Sequence, residues 1–307
     1  MNSLQRDVFI DNIYEHAKKN KNIFFISADF GAIALDKFRE NLPDQFIHSG
    51  ISEQHMIDLA SGLALDGNKV YVYAMAPFIT LRCLEQIKCS LAIMNLPVTI
   101  LSIGVGLGYA DAGPTHYVNE DISIMNSIVN LDISSPSDGN STKFLAHQTI
   151  ENPKLRLIRM ERNSLNDIYD KNYNFNNQGF ENIYKGKDIC ILSSGYMLHR
   201  AKEVHNLLIK ENIHISVYDV INIKPLSEKL INEISNYEKI ITIEEQTLYG
   251  GFGSIIVNAL SSRGINNKQI KCLGLEDKYY FQNGGREYLL NESGLSSKKI
   301  TEVVKSF

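Results

Sequence analysis

Two successive trains of alternating strand-like and helix-like segments, separated by a polar stretch, restrict this chain to a pair of α/β layers. In the first train, runs rich in Ile, Val, Leu and Tyr predict strands at 22–27, 69–75, 97–103, 131–134 and 155–159. The patterns between them predict helices over roughly 51–66, 80–94, 119–129 and 138–150. Strands alternating with helices call for a mostly parallel sheet flanked by helices on both faces. From Asn163 to Asn182 the sequence turns to asparagine and aspartate without sustained periodicity, as a linker does. A second train follows: strand 188–194, helix 197–211, strand 213–219, helix 227–236 and strand 239–243. The expected division is a first domain over 1–165, a linker over 166–182 and a second domain over 183–307.

A chain of 307 residues has room for about two such domains. Hydrophobic residues at 44% and charged residues at 21% are ordinary values for a chain that buries a real core. The formal net charge of -4 gives no reason to propose a nucleic-acid partner. Cys83, Cys89, Cys190 and Cys272 are scattered without metal-ligand spacing, so reduced thiols in a cytosolic setting are expected. Residues 1–17 are apolar at 4, 8, 9, 10, 13, 14 and 17 but interrupted by charges, which predicts an amphipathic first helix rather than a targeting segment. No apolar run approaches membrane-spanning length. A cytoplasmic protein with no membrane or nucleic-acid partner is expected.

Within the first train, Glu53 is a single carboxylate at the start of an otherwise apolar helix. Gly50 allows a sharp turn into it, Ser49 or Ser52 can cap the first turn, and apolar residues at 56, 57, 59, 60, 63 and 64 form the buried stripe. Such a glutamate points to a domain edge, where it also serves simply to complement the helix dipole. The glycines of the loop Gly104 to His116 follow a strand, where ligands gather in open α/β sheets, yet their Gly-x-Gly-x-Gly spacing is not a dinucleotide fingerprint. Gly250-Gly251-Phe252-Gly253-Ser254 does lie between a strand and a helix, but the rest of a dinucleotide unit is missing. Asp66-Gly67-Asn68 and Ser137-Asp138-Gly139-Asn140 read as turn or cap sequences.

Gly50-Ile51-Ser52-Glu53-Gln54-His55-Met56, followed by Ala60-Ser61-Gly62-Leu63-Ala64, resembles the activating-glutamate helix of the transketolase family of thiamine diphosphate enzymes. The resemblance extends over nearly the whole chain. Ser27-Ala28-Asp29 is similar to the family's Ser-Ala-Asp turn, and Phe46-Ile47-His48 precedes the glycine as in transketolases. Ala76-Pro77-Phe78-Ile79-Thr80-Leu81-Arg82 resembles the cofactor-facing segment; Gly113-Pro114-Thr115-His116 with Glu120-Asp121 resembles the substrate loop. Glu244-Glu245-Gln246 with the glycines at 250, 251 and 253 resembles the signature of the C-terminal domain. A pyrimidine-binding domain followed by a transketolase C-terminal domain is the fold this implies.

The resemblance also implies roles. Glu53 would hydrogen-bond ring nitrogen N1′ of thiamine diphosphate and so make the cofactor's own 4′-amino group basic. Phe78 would wall the pyrimidine, with Leu81 and Asp29 completing the cofactor site, although a phenylalanine near a sheet edge is also an ordinary packing residue. Where transketolases often carry further aromatics three and six residues on, this chain has Leu81 and Leu84. His116 and His48 would meet the sugar hydroxyls. Asp111, one residue earlier than the family's usual aspartate, replaced here by Ala112, would be the acceptor-reading carboxylate only if the loop bulges. Arg159 or Arg162 would anchor the substrate phosphate through its planar fork, or else pair with Glu161 or Asp167. Arg82 and Glu85 are candidates for a mutual ion pair or a subunit contact.

The Gly-Asp-Gly and downstream asparagine that hold magnesium against the diphosphate in complete transketolases have no counterpart here. The implied protein is therefore the C-terminal subunit of a split transketolase-like enzyme, transferring a two-carbon ketol unit from a ketose phosphate to an aldose. Its partner would be an N-terminal subunit carrying the diphosphate-binding domain and the Mg2+ ligands, in a heterotetramer of two of each. The alternatives are the β subunit of a 2-oxo acid dehydrogenase, a deoxyxylulose phosphate synthase fragment, and a non-catalytic assembly partner.

Overall fold

The structure, a computed structural model, describes residues 2–28 and 32–307, so Asp29 lies outside the described residues. Seven strands form the first sheet, in the order Asn222–Lys224, Asp132–Ser134, Arg156–Met160, Val98–Ile103, Lys69–Met75, Ile23–Ser27 and Phe46–His48. All pair in parallel except Asn222–Lys224, which runs antiparallel to Asp132–Ser134. The second sheet has the order Gln269–Leu275, Lys239–Thr247, Ile189–Ser193, Ser216–Asp219 and Glu181–Tyr184, and only the last is antiparallel to its neighbour. Two mostly parallel sheets with flanking helices are thus what the alternating patterns predicted.

Both faces of each sheet are covered. One apolar cluster runs through the molecule from Met56, Val72 and Ile100 in the first unit to Leu192, Ile240 and Ile256 in the second. A second, built on Phe9, Phe25, Phe38 and Tyr71, fills the other face of the first sheet, and a third, around Leu198, Val217, Ile241 and Leu290, does the same for the second. Burying a side chain of this size is worth about 1.5–3 kcal/mol, so these clusters dominate the favourable side of folding. The amphipathic N-terminal segment is the helix Gln5–Ala17, whose Phe9, Ile10 and Ile13 are buried in the second cluster. Among the described residues no helix is long and apolar enough to cross a membrane.

Two differences from the sequence reading position the site. The helix expected over 80–94 begins only at Leu84, as a short turn at Leu84–Gln86 running into a π-helical stretch at Ile87–Ala92, and a separate single turn at Ala76–Ile79 precedes it. The Thr80 hydroxyl donates to the Ala76 carbonyl at 2.6 Å and the Cys83 thiol to the Phe78 carbonyl at 3.2 Å, and such side-chain bonds compete with the regular helix ladder. Phe78, Leu81 and Arg82 accordingly lie in or beside a turn. The second difference is the strand Asn222–Lys224, which extends from the second unit onto the edge of the first sheet. A three-residue strand whose partner is about ninety positions earlier leaves no periodic trace.

Candidate active site

Glu53 opens the helix Glu53–Leu65, and its side chain is 4% exposed. Gly50, at φ +70, turns the chain out of the strand Phe46–His48, and its N–H donates to Nδ1 of His48 at 2.9 Å. Neither serine caps the helix: the Ser52 hydroxyl turns back to donate to the Ser49 carbonyl at 2.6 Å. Glu53 Oε2 accepts from Arg82 Nη1 at 2.7 Å, while among the described residues Oε1 accepts no hydrogen bond. Arg82 therefore pairs with Glu53 and not with Glu85.

Arg82 extends the cluster. Its guanidinium carbon lies 4.4 Å from the centroid of the Phe78 ring, and the Phe78 ring meets that of His116 edge-on, with centroids 5.5 Å apart. His116 Nδ1 shares a hydrogen bond of 2.8 Å with the Thr115 hydroxyl. Leu81 packs on Ala76, Val105 and Val118, the small apolar patch beside this row. Glu53, Arg82, Phe78 and His116 thus form one continuous row of contacts drawn from three separate segments of the sequence. Beneath them, burial first and the Glu53 charge second push the Cys83 thiol up to about 12, so it stays protonated and inert.

The two arginines separate sharply. Arg159, 3% exposed, is clamped by Asp121: Nε donates to Oδ2 at 2.7 Å and Nη2 to Oδ1 at 3.0 Å, with Nη1 donating to the Ser135 hydroxyl at 3.3 Å. Its fork is spent on a buried carboxylate, and a phosphate could reach it only by leaving Asp121 uncompensated. Of the two arginines expected as phosphate anchors, Arg159 is thus the one whose fork is already engaged by a carboxylate. Arg162 is partly exposed; its Nη1 donates to Asp111 Oδ1 at 2.7 Å and its guanidinium lies 4.4 Å from the Tyr109 ring centroid. Two residues singled out separately in the sequence, Asp111 and Arg162, are therefore partners. Asp111 sits in the short 3-10 turn Ala110–Ala112.

The glycine-rich motif of the second unit has a structural explanation. Glu244 accepts from the backbone N–H groups of Phe252 and Gly253, at 2.6 and 2.7 Å, at the start of the helix Phe252–Ser261. Those amides would be the anion cradle of a dinucleotide site, and a carboxylate of the same chain fills it. Burial raises Glu244 to about 7 despite these bonds. Ser137-Asp138-Gly139-Asn140 is a cap, as its composition suggested: Asp138 and Ser141 form a reciprocal capping box on the helix Gly139–Glu151. The sequence reading missed Arg286, which stacks 3.4 Å over Tyr196 and pairs with both Glu161 and Glu245. A lone arginine behind a Gly-Gly pair carries no signal that its carboxylates come from 41 and 125 residues away.

Residues 5–167 match the family profile described as the transketolase pyrimidine binding domain, and residues 180–300 match the transketolase C-terminal domain. The chain belongs to the transketolase family. Within the transketolase family it is 30% identical to one of the subunits of the apulose-4-phosphate transketolase of Phocaeicola vulgatus, over 98% of this chain and 97% of that one. It is also 30% identical to the 1-deoxy-D-xylulose-5-phosphate synthase of Aquifex aeolicus, over 97% of this chain but 47% of the synthase, so the chain spans about half the length of that relative. Among solved transketolase structures, a split gene transketolase described as an inactive β4 tetramer superposes with a TM-score of 0.87 at 24% identity, over 99% of this chain and 97% of that one. That likeness establishes the shared fold.

Proposed function

We propose that the chain is the C-terminal subunit of a split, thiamine diphosphate-dependent transketolase-like enzyme that transfers a two-carbon ketol unit from a ketose phosphate to an aldose. The observation that carries this reading is Glu53. Its carboxylate is withdrawn from water and held by Arg82 through one oxygen, and the same Arg82 lies over Phe78, whose ring meets His116. The residues fit the cofactor's pyrimidine: Oε1 can accept a ring N–H, and the Phe78 ring already carries one planar group, the Arg82 guanidinium, against it.

Bound thiamine diphosphate supplies the nucleophilic carbon that takes up the two-carbon unit. Glu53 would hold the cofactor's N1′ and keep a proton there, and so would make the exocyclic amino group basic. Phe78 and Leu81 wall the ring and exclude water; Asp29 is assigned to the same site by its motif. His116 serves the substrate hydroxyls, with Thr115 fixing its Nδ1 so that Nε2 is the working nitrogen, and His48 borders the same helix start. Of the two candidate arginines, Arg162 is the phosphate anchor, exchanging Asp111 for the phosphate oxygens.

The diphosphate and Mg2+ ligands are assigned to a partner subunit with the N-terminal domain, in a heterotetramer of two of each in the cytoplasm. Support comes from the relative in Phocaeicola vulgatus, which is named as a subunit and matches this chain from end to end. The likeness to the 1-deoxy-D-xylulose-5-phosphate synthase of Aquifex aeolicus keeps a second reading open, a part of a synthase of that kind. The deciding experiment is deuterium exchange at the cofactor's C2 in the assembled enzyme. Glu53→Gln is expected to slow it by orders of magnitude with assembly intact, and an unchanged rate would return Glu53 to a helix-dipole role.

A further inference from the structure

The loop from Gly104 to His116 is closed at its neck by its own backbone and abuts the second domain there. Gly106 bridges Val118, whose N–H donates to the Gly106 carbonyl at 3.0 Å, so the loop leaves and returns at one point. Glu245, 3% exposed in the strand Lys239–Thr247, stands against that point. Its Oε2 accepts from the Leu107 N–H at 3.4 Å, and a Cβ on Gly106, which has φ +57, would lie 2.4 Å from the Glu245 carboxyl carbon. Arg286 Nε donates to the same Oε2 at 2.8 Å, and its remaining arms engage Glu245 Oε1 and Glu161, which follows the first-domain strand Arg156–Met160. A separate contact holds the residue after His116: the Tyr280 N–H donates to the Tyr117 hydroxyl at 2.9 Å.

We infer that Glu245 and Arg286 are positioning residues that fix the neck of this loop and thereby the place of His116 against Phe78. No side chain of the second domain is then required to touch substrate for that domain to matter to turnover; its carboxylate sets the geometry through the loop backbone. The requirement is specific. Glutamate at 245 must reach both a backbone N–H and a guanidinium, and glycine at 106 must leave room for it. The inference rests on the reading of His116 as a substrate-facing group, but its test needs neither cofactor nor partner.

The full-length chain is labelled at histidine, and the His116 ring signal is assigned by its loss in His116→Asn. Its edge contact with Phe78 should displace the ring proton signal, a displacement that Phe78→Leu removes. Glu245→Gln, which keeps the shape and weakens the tie to Arg286, is expected to reduce that displacement and to speed amide exchange at Leu107 and Val118 at least tenfold, with exchange in the strand Lys69–Met75 unchanged. Gly106→Ala attacks the same neck from the loop side and should give the same pattern, which covers the case in which the first variant fails to fold. A wild-type His116 signal and wild-type loop exchange in the folded variants would overturn the inference. Since no turnover is read, failure here is distinct from failure of Glu53→Gln to slow C2 exchange.

Discussion

Arg82 Nη1 and Glu53 Oε2 stand 2.7 Å apart across 29 residues of sequence, the arginine side chain 43% exposed and the glutamate 4%. The asymmetry means that the arginine reaches in from water to satisfy a carboxylate already buried, leaving one carboxylate oxygen available. Hydrogen bonds to charged groups are worth about 1.5–3 kcal/mol, but solvent at the arginine screens this one to the range of an exposed pair. Arg82→Ala is therefore expected to cost about 1 kcal/mol in urea unfolding. A loss above about 3 kcal/mol would show that Glu53 depends on Arg82 far more than its exposure suggests.

Asp121 and Arg162 should respond in opposite ways. Asp121→Ala strands the buried Arg159 guanidinium and is expected to destabilise the chain by about 3–5 kcal/mol. Arg162→Met removes an exposed partner of Asp111 and should cost less than about 1 kcal/mol. In the assembled enzyme the same Arg162→Met should raise KM for a phosphorylated sugar at least tenfold while sparing unphosphorylated aldoses. Equal KM changes for both substrate types would remove Arg162 from the phosphate site.

Asp219 links the two domains and should make stability depend on pH. It is wholly buried, its Oδ2 accepts from the Ser137 hydroxyl at 2.6 Å and the Tyr169 hydroxyl at 2.7 Å, and burial raises it from an ordinary 3.8 to about 7. Between those values the folded chain keeps a proton that the unfolded chain has lost. Its contribution to stability therefore falls by roughly 1.4 kcal/mol per pH unit as pH rises from about 4 to about 7, then levels off. Asp219→Asn cannot titrate, so the slope of unfolding free energy against pH should differ from wild type by about one proton in that window. Identical slopes would place the Asp219 pKa near its unfolded value.

The thiols should react in the order of their exposure. Cys89 is exposed, Cys272 half-buried, and Cys83 and Cys190 buried, with burial raising Cys83 to about 12. An aromatic disulfide reagent should modify Cys89 rapidly in the native chain and reach all four cysteines only in denaturant. Rapid native labelling of Cys83 would show that the segment beneath Phe78 opens.

How much of this was legible beforehand depends on the range of the interaction involved. Apolar periodicity located the principal alternating strands because a strand covered on both faces must be apolar throughout, whatever it packs against. Glu53 was legible because one carboxylate at the start of an apolar helix is a local anomaly, and Phe78 and His116 because they sit in short motifs. The broken helix after Phe78 was not, since Thr80 and Cys83 look helix-compatible until their side chains are seen bonded to the preceding carbonyls.

The sequence by itself determined the alternating α/β layers, the Asp138 cap and the presence of Glu53, Phe78 and His116, all of which depend on local pattern or on motifs a few residues long. Only the tertiary structure decided that Arg159 belongs to Asp121, that Arg162 belongs to Asp111, and that Glu245 and Arg286 hold the neck of the Gly104 to His116 loop. A charged side chain chooses among all the opposite charges that folding brings within reach, and the choice turns on burial and hydrogen-bond geometry. Those quantities do not exist until the two sheets have packed.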